Sequence, residues 1–179
     1  MRENSIALIG PGGAGKTTIG AFFAERLGIE FFDLDRCLAD RVGDISEYIT
    51  RVGYEAYARE NVETYRALSH KTTASRVLAL SSGFMTYPRG NHPEYDDLRN
   101  EIEQSPTTFV LLPSLDPERC VAETVRRQLT RRFSRSAAKE EAVIRERFPV
   151  YVGLRNRKIE TMRPLAAIVD ELLSATRPA

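Results

Sequence analysis

Tryptophan is absent from the 179 residues, and cysteine and histidine occur only twice each. With Cys37 and Cys120 alone, no C-x-x-C pair and no His/Cys cluster at ligand spacing, neither a disulfide framework nor a structural zinc site is supported. An excess of one charge is missing too, since 26 Lys and Arg stand against 25 Asp and Glu, a net charge of +1. Such a balance provides no basic footprint for nucleic acid and no acidic tail. No apolar run approaches the roughly 20 residues of a membrane span, and no signal-peptide core precedes the first apolar run, Ile6-Ala7-Leu8-Ile9. These absences point to a cytoplasmic protein that works without nucleic acid or membrane and takes a small molecule as its partner. The length suits one domain.

What is present begins directly after that apolar run. Gly10-Pro11-Gly12-Gly13-Ala14-Gly15-Lys16-Thr17 is a G-x-x-x-x-G-K-T phosphate loop, preceded by a strand pattern and followed by an amphipathic helix. Glycines let backbone N–H groups form a concave anion cradle, and the helix N-terminus adds a favourable dipole. Gly12, Gly13, Ala14, Gly15, Lys16, Thr17 and Thr18 are therefore the nucleotide-binding candidates. Lys16 suits the β/γ-phosphates of ATP, and the Thr17 hydroxyl suits Mg²⁺.

Apolar Ile19, Phe22, Phe23 and Leu27 share helical spacing, with Gly28 placed to end a helix over 16–27. Further along, strands are expected at 30–33, 76–80, 107–112 and 158–161. Helices are expected at 36–42, 46–70 with a break near Gly53, 94–104, 116–129, 137–148 and from Pro164 through Leu173. This alternation implies right-handed βαβ units and a five-stranded parallel sheet with helices on both faces, an α/β fold.

Ligands of parallel sheets bind beyond the carboxyl ends of the strands. Asp33 and Asp35 stand there, two residues apart, and alternation along an extended chain turns them to one side. One suits the hydration shell of Mg²⁺ and the other suits a proton from a hydroxyl nucleophile; an Asp-x-Asp turn or a helix cap at Asp35 is the plainer alternative. Arg126, Arg127, Arg131, Arg132, Arg135 and Lys139 form either a solvated face or a lid whose arginines stabilise a transferring phosphoryl group.

Together these motifs resemble the shikimate kinase family of small P-loop kinases. The family loop corresponds to Gly10–Thr18, its F-x-D-x-D to Phe31-Phe32-Asp33-Leu34-Asp35, and its R-x-P-L-Y to Arg147-Phe148-Pro149-Val150-Tyr151. The resemblance implies a three-layer P-loop kinase fold, ATP and Mg²⁺, and phosphorylation of a hydroxyl on a small anionic metabolite, with shikimate foremost. It places Thr17 and Asp33 at the metal, Asp35 at the acceptor hydroxyl, and Arg147 at the acceptor carboxylate. Arg131 becomes the lid arginine, with Arg132 next, in a lid over about 127–139. Arg127 joins the nucleotide side, as do Arg163 and Pro164 in the segment that corresponds to the adenine-packing one. The helical region over about 36–70 becomes the acceptor-binding part of a monomer.

Two segments depart from the pattern. The family's G-G-G becomes Ser81-Ser82-Gly83, which leaves Ser82 and Gly83 as acceptor contacts with added side chains in that wall. The family's G-E-x-x-F-R-x-x-E becomes Gly53-Tyr54-Glu55-Ala56-Tyr57-Ala58-Arg59-Glu60-Asn61, so the second carboxylate arginine is displaced to Arg59, about 100° round a helix. The loop Phe84 to Pro93, with Tyr87, Arg89 and His92, is a candidate rebuilt wall. These departures keep open a paralogue acting on another hydroxy acid, sugar acid or cyclitol, and a nucleotide-binding regulatory module without transfer activity.

Overall fold

The computed structural model describes residues 5–71, 74–130 and 136–176. Five strands, β1 (Ser5–Ile9), β2 (Glu30–Asp33), β3 (Arg76–Ala79), β4 (Thr108–Leu112) and β5 (Arg157–Glu160), form one parallel sheet in the order β2-β3-β1-β4-β5. The helices are α1 (Lys16–Leu27), α2 (Leu34–Val42), α3 (Ile45–Val52), α4 (Tyr54–Lys71), α5 (Tyr95–Gln104), α6 (Pro117–Leu129), α7 (Ala137–Gly153) and α8 (Leu165–Thr176), with one 3₁₀ turn at Phe84–Thr86.

Strand alternation sorts the core into two layers. Ile6, Leu8, Val77, Phe109, Leu111 and Ile159 pack against α1 and α8 on one face. Ile9, Leu78, Leu80, Val110 and Leu112 pack against α2, α4, α5, α6 and α7 on the other. Each such buried aliphatic or aromatic side chain contributes about 1.5–3 kcal/mol of transfer free energy, so the sheet, covered on both faces, is the rigid base of the molecule. The chain leaves β1 for the β2 edge, returns through β3, then crosses to β4. That reversal opens a crevice beyond the carboxyl end of β1, where α1 begins.

Three local expectations are corrected. The packed face of α1 is Ile19, Gly20, Phe23 and Ala24, while Phe22 is 46 % exposed. The small pair lets the helix sit close to the sheet, and this shifts the buried stripe. Helix α2 starts at Leu34 because Asp33 is its cap: the Asp33 carboxylate accepts hydrogen bonds from the backbone N–H groups of Asp35 and Arg36. Helix α7 runs past Pro149 to Gly153 where an end near Phe148 was expected. Proline removes a donor and crowds the preceding turn, at about 3 kcal/mol, yet Ile144, Phe148 and Tyr151 are buried on the same face, and the Tyr151 hydroxyl donates to the Ser82 carbonyl at 2.9 Å.

Candidate active site

The loop between β1 and α1 delivers the donor half. Gly15 caps α1 at φ 96°, a left-handed conformation that a side chain would strain, and it turns the following amides toward the crevice. The Lys16 ammonium lies across the loop, donating to the Gly10 carbonyl at 2.7 Å and the Pro11 carbonyl at 2.9 Å. In the first turn of the helix, Thr17 Oγ1 donates to Asp33 Oδ2 at 2.5 Å. The other oxygen, Asp33 Oδ1, holds the Asp35 and Arg36 amides at 3.0 and 3.3 Å. Capping and metal reach therefore coexist in one carboxylate, and the cap falls on Asp33 where Asp35 was the alternative. A cavity of about 70 Å³ is bounded by Gly12, Gly13, Gly15, Lys16, Thr17, Asp33 and Asp35. Asp35 reaches it from the first turn of α2, not by strand alternation.

Thr17 and Asp33 present two hard oxygens side by side, a donor set that suits Mg²⁺ completed by phosphates and water. Among the described residues no group of three or more His, Cys, Asp or Glu forms an all-protein metal cage.

A second cavity of about 310 Å³ flanks the loop, lined in part by Gly13, Gly15, Thr18, Arg127, Thr161 and Arg163. Arg127 is locked in place: Nη1 donates to the Gly13 carbonyl at 3.2 Å and Thr161 Oγ1 at 3.1 Å, Nη2 to the Thr161 carbonyl at 3.1 Å, and Nε to Glu123 at 2.6 Å. Hydrogen bonding from Arg126, with further help from Arg127, holds the Glu123 carboxyl down at about 2. Arg163 Nη2 pairs with Glu171 at 2.5 Å. Pro164 does not line this wall; its carbonyl accepts the Ile168 amide at 3.3 Å and opens α8. Arg131 and Arg132 lie outside the described residues.

A third cavity of about 260 Å³, the candidate acceptor site, lies between α3, α4, α7 and the segment after β3, with Asp35, Tyr54, Tyr57, Ser82, Gly83 and Arg147 on its polar wall and Ile45 and Ile49 opposite in kind. Arg147 Nη1 donates to Ser82 Oγ at 3.2 Å and Nη2 to the Tyr54 hydroxyl at 3.0 Å. Gly83 leaves room for Tyr54, since a Cβ there would lie 2.4 Å from the Tyr54 hydroxyl and displace it. Asp35 Oδ1 accepts from Ser81 Oγ at 2.5 Å and from the Tyr57 hydroxyl at 3.4 Å. Burial raises the Asp35 carboxyl above its ordinary value, opposed by the Ser81 hydrogen bond and the Lys16 charge.

Arg59 is not brought to this cavity. It is exposed on α4, and the neighbouring Tyr57 and Ala58 face inward, Ala58 fully buried. Helix phase, not side-chain length, decides this. The proposed wall over Phe84 to Pro93 is corrected likewise: Phe84, Met85 and Tyr87 belong to the core, Arg89 is exposed, and His92 meets Glu63 at 2.7 Å. Several wall residues, Tyr54, Tyr57, Ile45, Ile49 and Gln128 among them, are not evident as site residues from sequence. Tyr54 had a signal, as it stands where the family motif has Glu; Gln128 had none beyond its place beside the arginine run. Gln128 borders both the phosphate and acceptor cavities, and a Cβ on Gly12 would lie 2.4 Å from its amide nitrogen.

A phosphate loop joined to a separate acceptor cavity through shared walls defines a P-loop kinase of small molecules. The family model described as shikimate kinase matches residues 12–177. The chain belongs to the shikimate kinase family. It is similar to shikimate kinase from Legionella pneumophila (strain Corby), 32 % identical over 165 residues that cover 90 % of this chain and 87 % of the relative, and to that of Thermobifida fusca, 27 % identical over 96 % and 94 % of the two chains. Its fold is like that of Acinetobacter baumannii shikimate kinase solved in complex with shikimate, with a TM-score of 0.71 at 23 % identity and coverage of 96 % and 91 %. A gluconokinase from Sinorhizobium meliloti shares the fold at a TM-score of 0.59 and 18 % identity, covering 98 % and 93 %.

Proposed function

We propose that this ATP-dependent kinase phosphorylates shikimate, giving shikimate 3-phosphate and ADP. The observation that carries the reading is that Gly12, Asp35, Ser82 and Gln128 line both the phosphate cavity and the acceptor cavity. Donor and acceptor then meet across a wall one side chain thick, with Asp35 at the junction.

The shikimate carboxylate pairs with Arg147, whose planar fork matches it, and Tyr54 and Ser82 hold that arginine. The ring lies along Ile45 and Ile49, and its 3-hydroxyl reaches Asp35. That hydroxyl oxygen attacks the γ-phosphorus, the bond from phosphorus to the β,γ-bridging oxygen breaks, and the hydroxyl proton passes to the Asp35 carboxylate. Lys16 exchanges its loop carbonyls for phosphate oxygens, and the loop amides hold the β-phosphate. Mg²⁺, when held by Thr17 and Asp33, supplies positive charge to the phosphates. Arg127, Thr18 and Arg163 border the space for the nucleoside. Arg131 is the lid arginine of this reading. One domain over 1–179, a monomer in the cytoplasm, completes it; no disulfide joins Cys37 and Cys120, and no helix among the described residues is long and apolar enough to cross a membrane.

A second reading, a paralogue acting on another hydroxy acid, is favoured by one observation: Ala58 and the exposed Arg59 leave Arg147 without a second arginine from α4. Phosphorus and proton NMR of the product from MgATP and shikimate separates the two. Phosphate coupled to the C3 proton supports the first, whereas unreacted shikimate beside rapid phosphorylation of a related hydroxy acid supports the second.

A further inference from the structure

Behind Asp35 stands a line of buried polar side chains drawn from three other parts of the chain. Tyr87, Asn61 and Ser81 are 4 %, 0 % and 1 % exposed. The Tyr87 hydroxyl donates to Asn61 Oδ1 at 3.1 Å, Asn61 Nδ2 donates to Ser81 Oγ at 2.8 Å, and Ser81 Oγ donates to Asp35 Oδ1 at 2.5 Å. The far end is anchored as well, because the Tyr87 amide donates to the Tyr95 hydroxyl at 3.1 Å, which donates to the Phe84 carbonyl at 2.6 Å. Polar groups at such depth cost stability unless every partner is supplied, and nothing in phosphate or carboxylate binding calls for them.

The chain has one direction. A tyrosine hydroxyl carries a single proton, here given to the Asn61 carbonyl oxygen, which turns the amide nitrogen toward Ser81. An amide nitrogen only donates, so Ser81 Oγ is an acceptor on that side. Its own proton is left for Asp35. Among the described residues no hydrogen bond engages Asp35 Oδ2, while Oδ1 also meets the Tyr57 hydroxyl at 3.4 Å.

We propose that Tyr87, Asn61 and Ser81 form a positioning relay that fixes the Asp35 carboxylate through Oδ1 and so presents Oδ2 to the acceptor hydroxyl. The proposal rests on the reading of Asp35 as the group that meets that hydroxyl. Serine in the place of the family's first glycine and asparagine at the end of the displaced motif then have one explanation: the segment that departs most from the pattern has become a support for the carboxylate. Misplacing a reacting group by about 1 Å costs on the order of 100-fold in rate, which sets the scale of the effect.

The test measures steady-state kinetics of Ser81→Ala, Tyr87→Phe and the double variant, with shikimate and MgATP, beside thermal midpoints. Ser81→Ala is expected to lower kcat about 10- to 100-fold with KM for MgATP unchanged, and Tyr87→Phe about threefold. In the Ser81→Ala background, Tyr87→Phe is expected to add nothing, because its effect travels through the lost hydroxyl. Additive losses, or normal kcat in Ser81→Ala, overturn the relay. Should Ser81→Ala fail to fold, an unchanged kcat in Tyr87→Phe overturns it alone. Asp35→Asn is the separate control: full turnover in that variant overturns the role of Asp35 itself, whereas an inactive Asp35→Asn beside a normal Ser81→Ala removes only the relay.

Discussion

The donor and acceptor halves of the crevice are built from different materials. Around the phosphate cavity the contacts are backbone amides and carbonyls at a strand-to-helix junction, with Lys16, Thr17 and Asp33 added within a short reach. Around the acceptor cavity they are side chains from α2, α3, α4, α7 and the segment after β3, brought together only by packing. A backbone cradle suits any polyphosphate and tolerates little change; a side-chain wall is respecified by single substitutions. The family resemblance is accordingly close in the first half and loose in the second, at Ala58, Asn61, Ser81 and Ser82.

Breaking the donor half is expected to have the largest effect. Lys16→Ala should lower kcat/KM by about 10³-fold or more with every acceptor, read as ADP release, since charge stabilisation carries most of phosphoryl transfer. Breaking the acceptor half should be selective. Arg147→Lys, which keeps the charge and loses the fork, should raise KM for a carboxylate acceptor about 10- to 100-fold while KM for MgATP stays constant. Of smaller size is the change at Glu123, which braces Arg127 beside the cavity that flanks the phosphate loop. Its depressed carboxyl adds stability that is fully present above the ordinary value of 4.5 and is lost as pH falls through about 2. Glu123→Gln should therefore cost about 1 kcal/mol at pH 7, with a gap from the parent protein that narrows in denaturation curves taken toward pH 3. Smallest of all, Arg59→Ala should change no kinetic constant by more than about twofold, as its exposure requires; a large rise in acceptor KM would return Arg59 to the site.

The same division explains what the sequence disclosed. Gly10 to Thr17 could be read because its chemistry is local: glycines, Lys and Thr at fixed offsets between a strand and a helix. Short motifs single out Asp33, Asp35 and Arg147, and the cavity walls include all three; β2 and α1 lie where pattern and the Gly28 cap put them. Arg59 was misplaced because an offset of one residue on a helix is visible in sequence, whereas the phase that buries Tyr57 and Ala58 is set by packing against α2 and α3. The extent of α7 was hidden for a related reason, as Pro149 is a local stop signal that burial of Tyr151 overrides. Asn61 and Ser81 showed only as departures from the family pattern and Tyr87 only as part of a loop, and nothing linked the three, since their hydrogen bonds join positions 20 to 46 residues apart.

The most direct measurement is the initial rate of ADP release at saturating MgATP with and without shikimate. Release that depends on shikimate and saturates with it is expected. Nucleotide binding with no shikimate-dependent release, while another hydroxy acid drives turnover, would contradict this expectation.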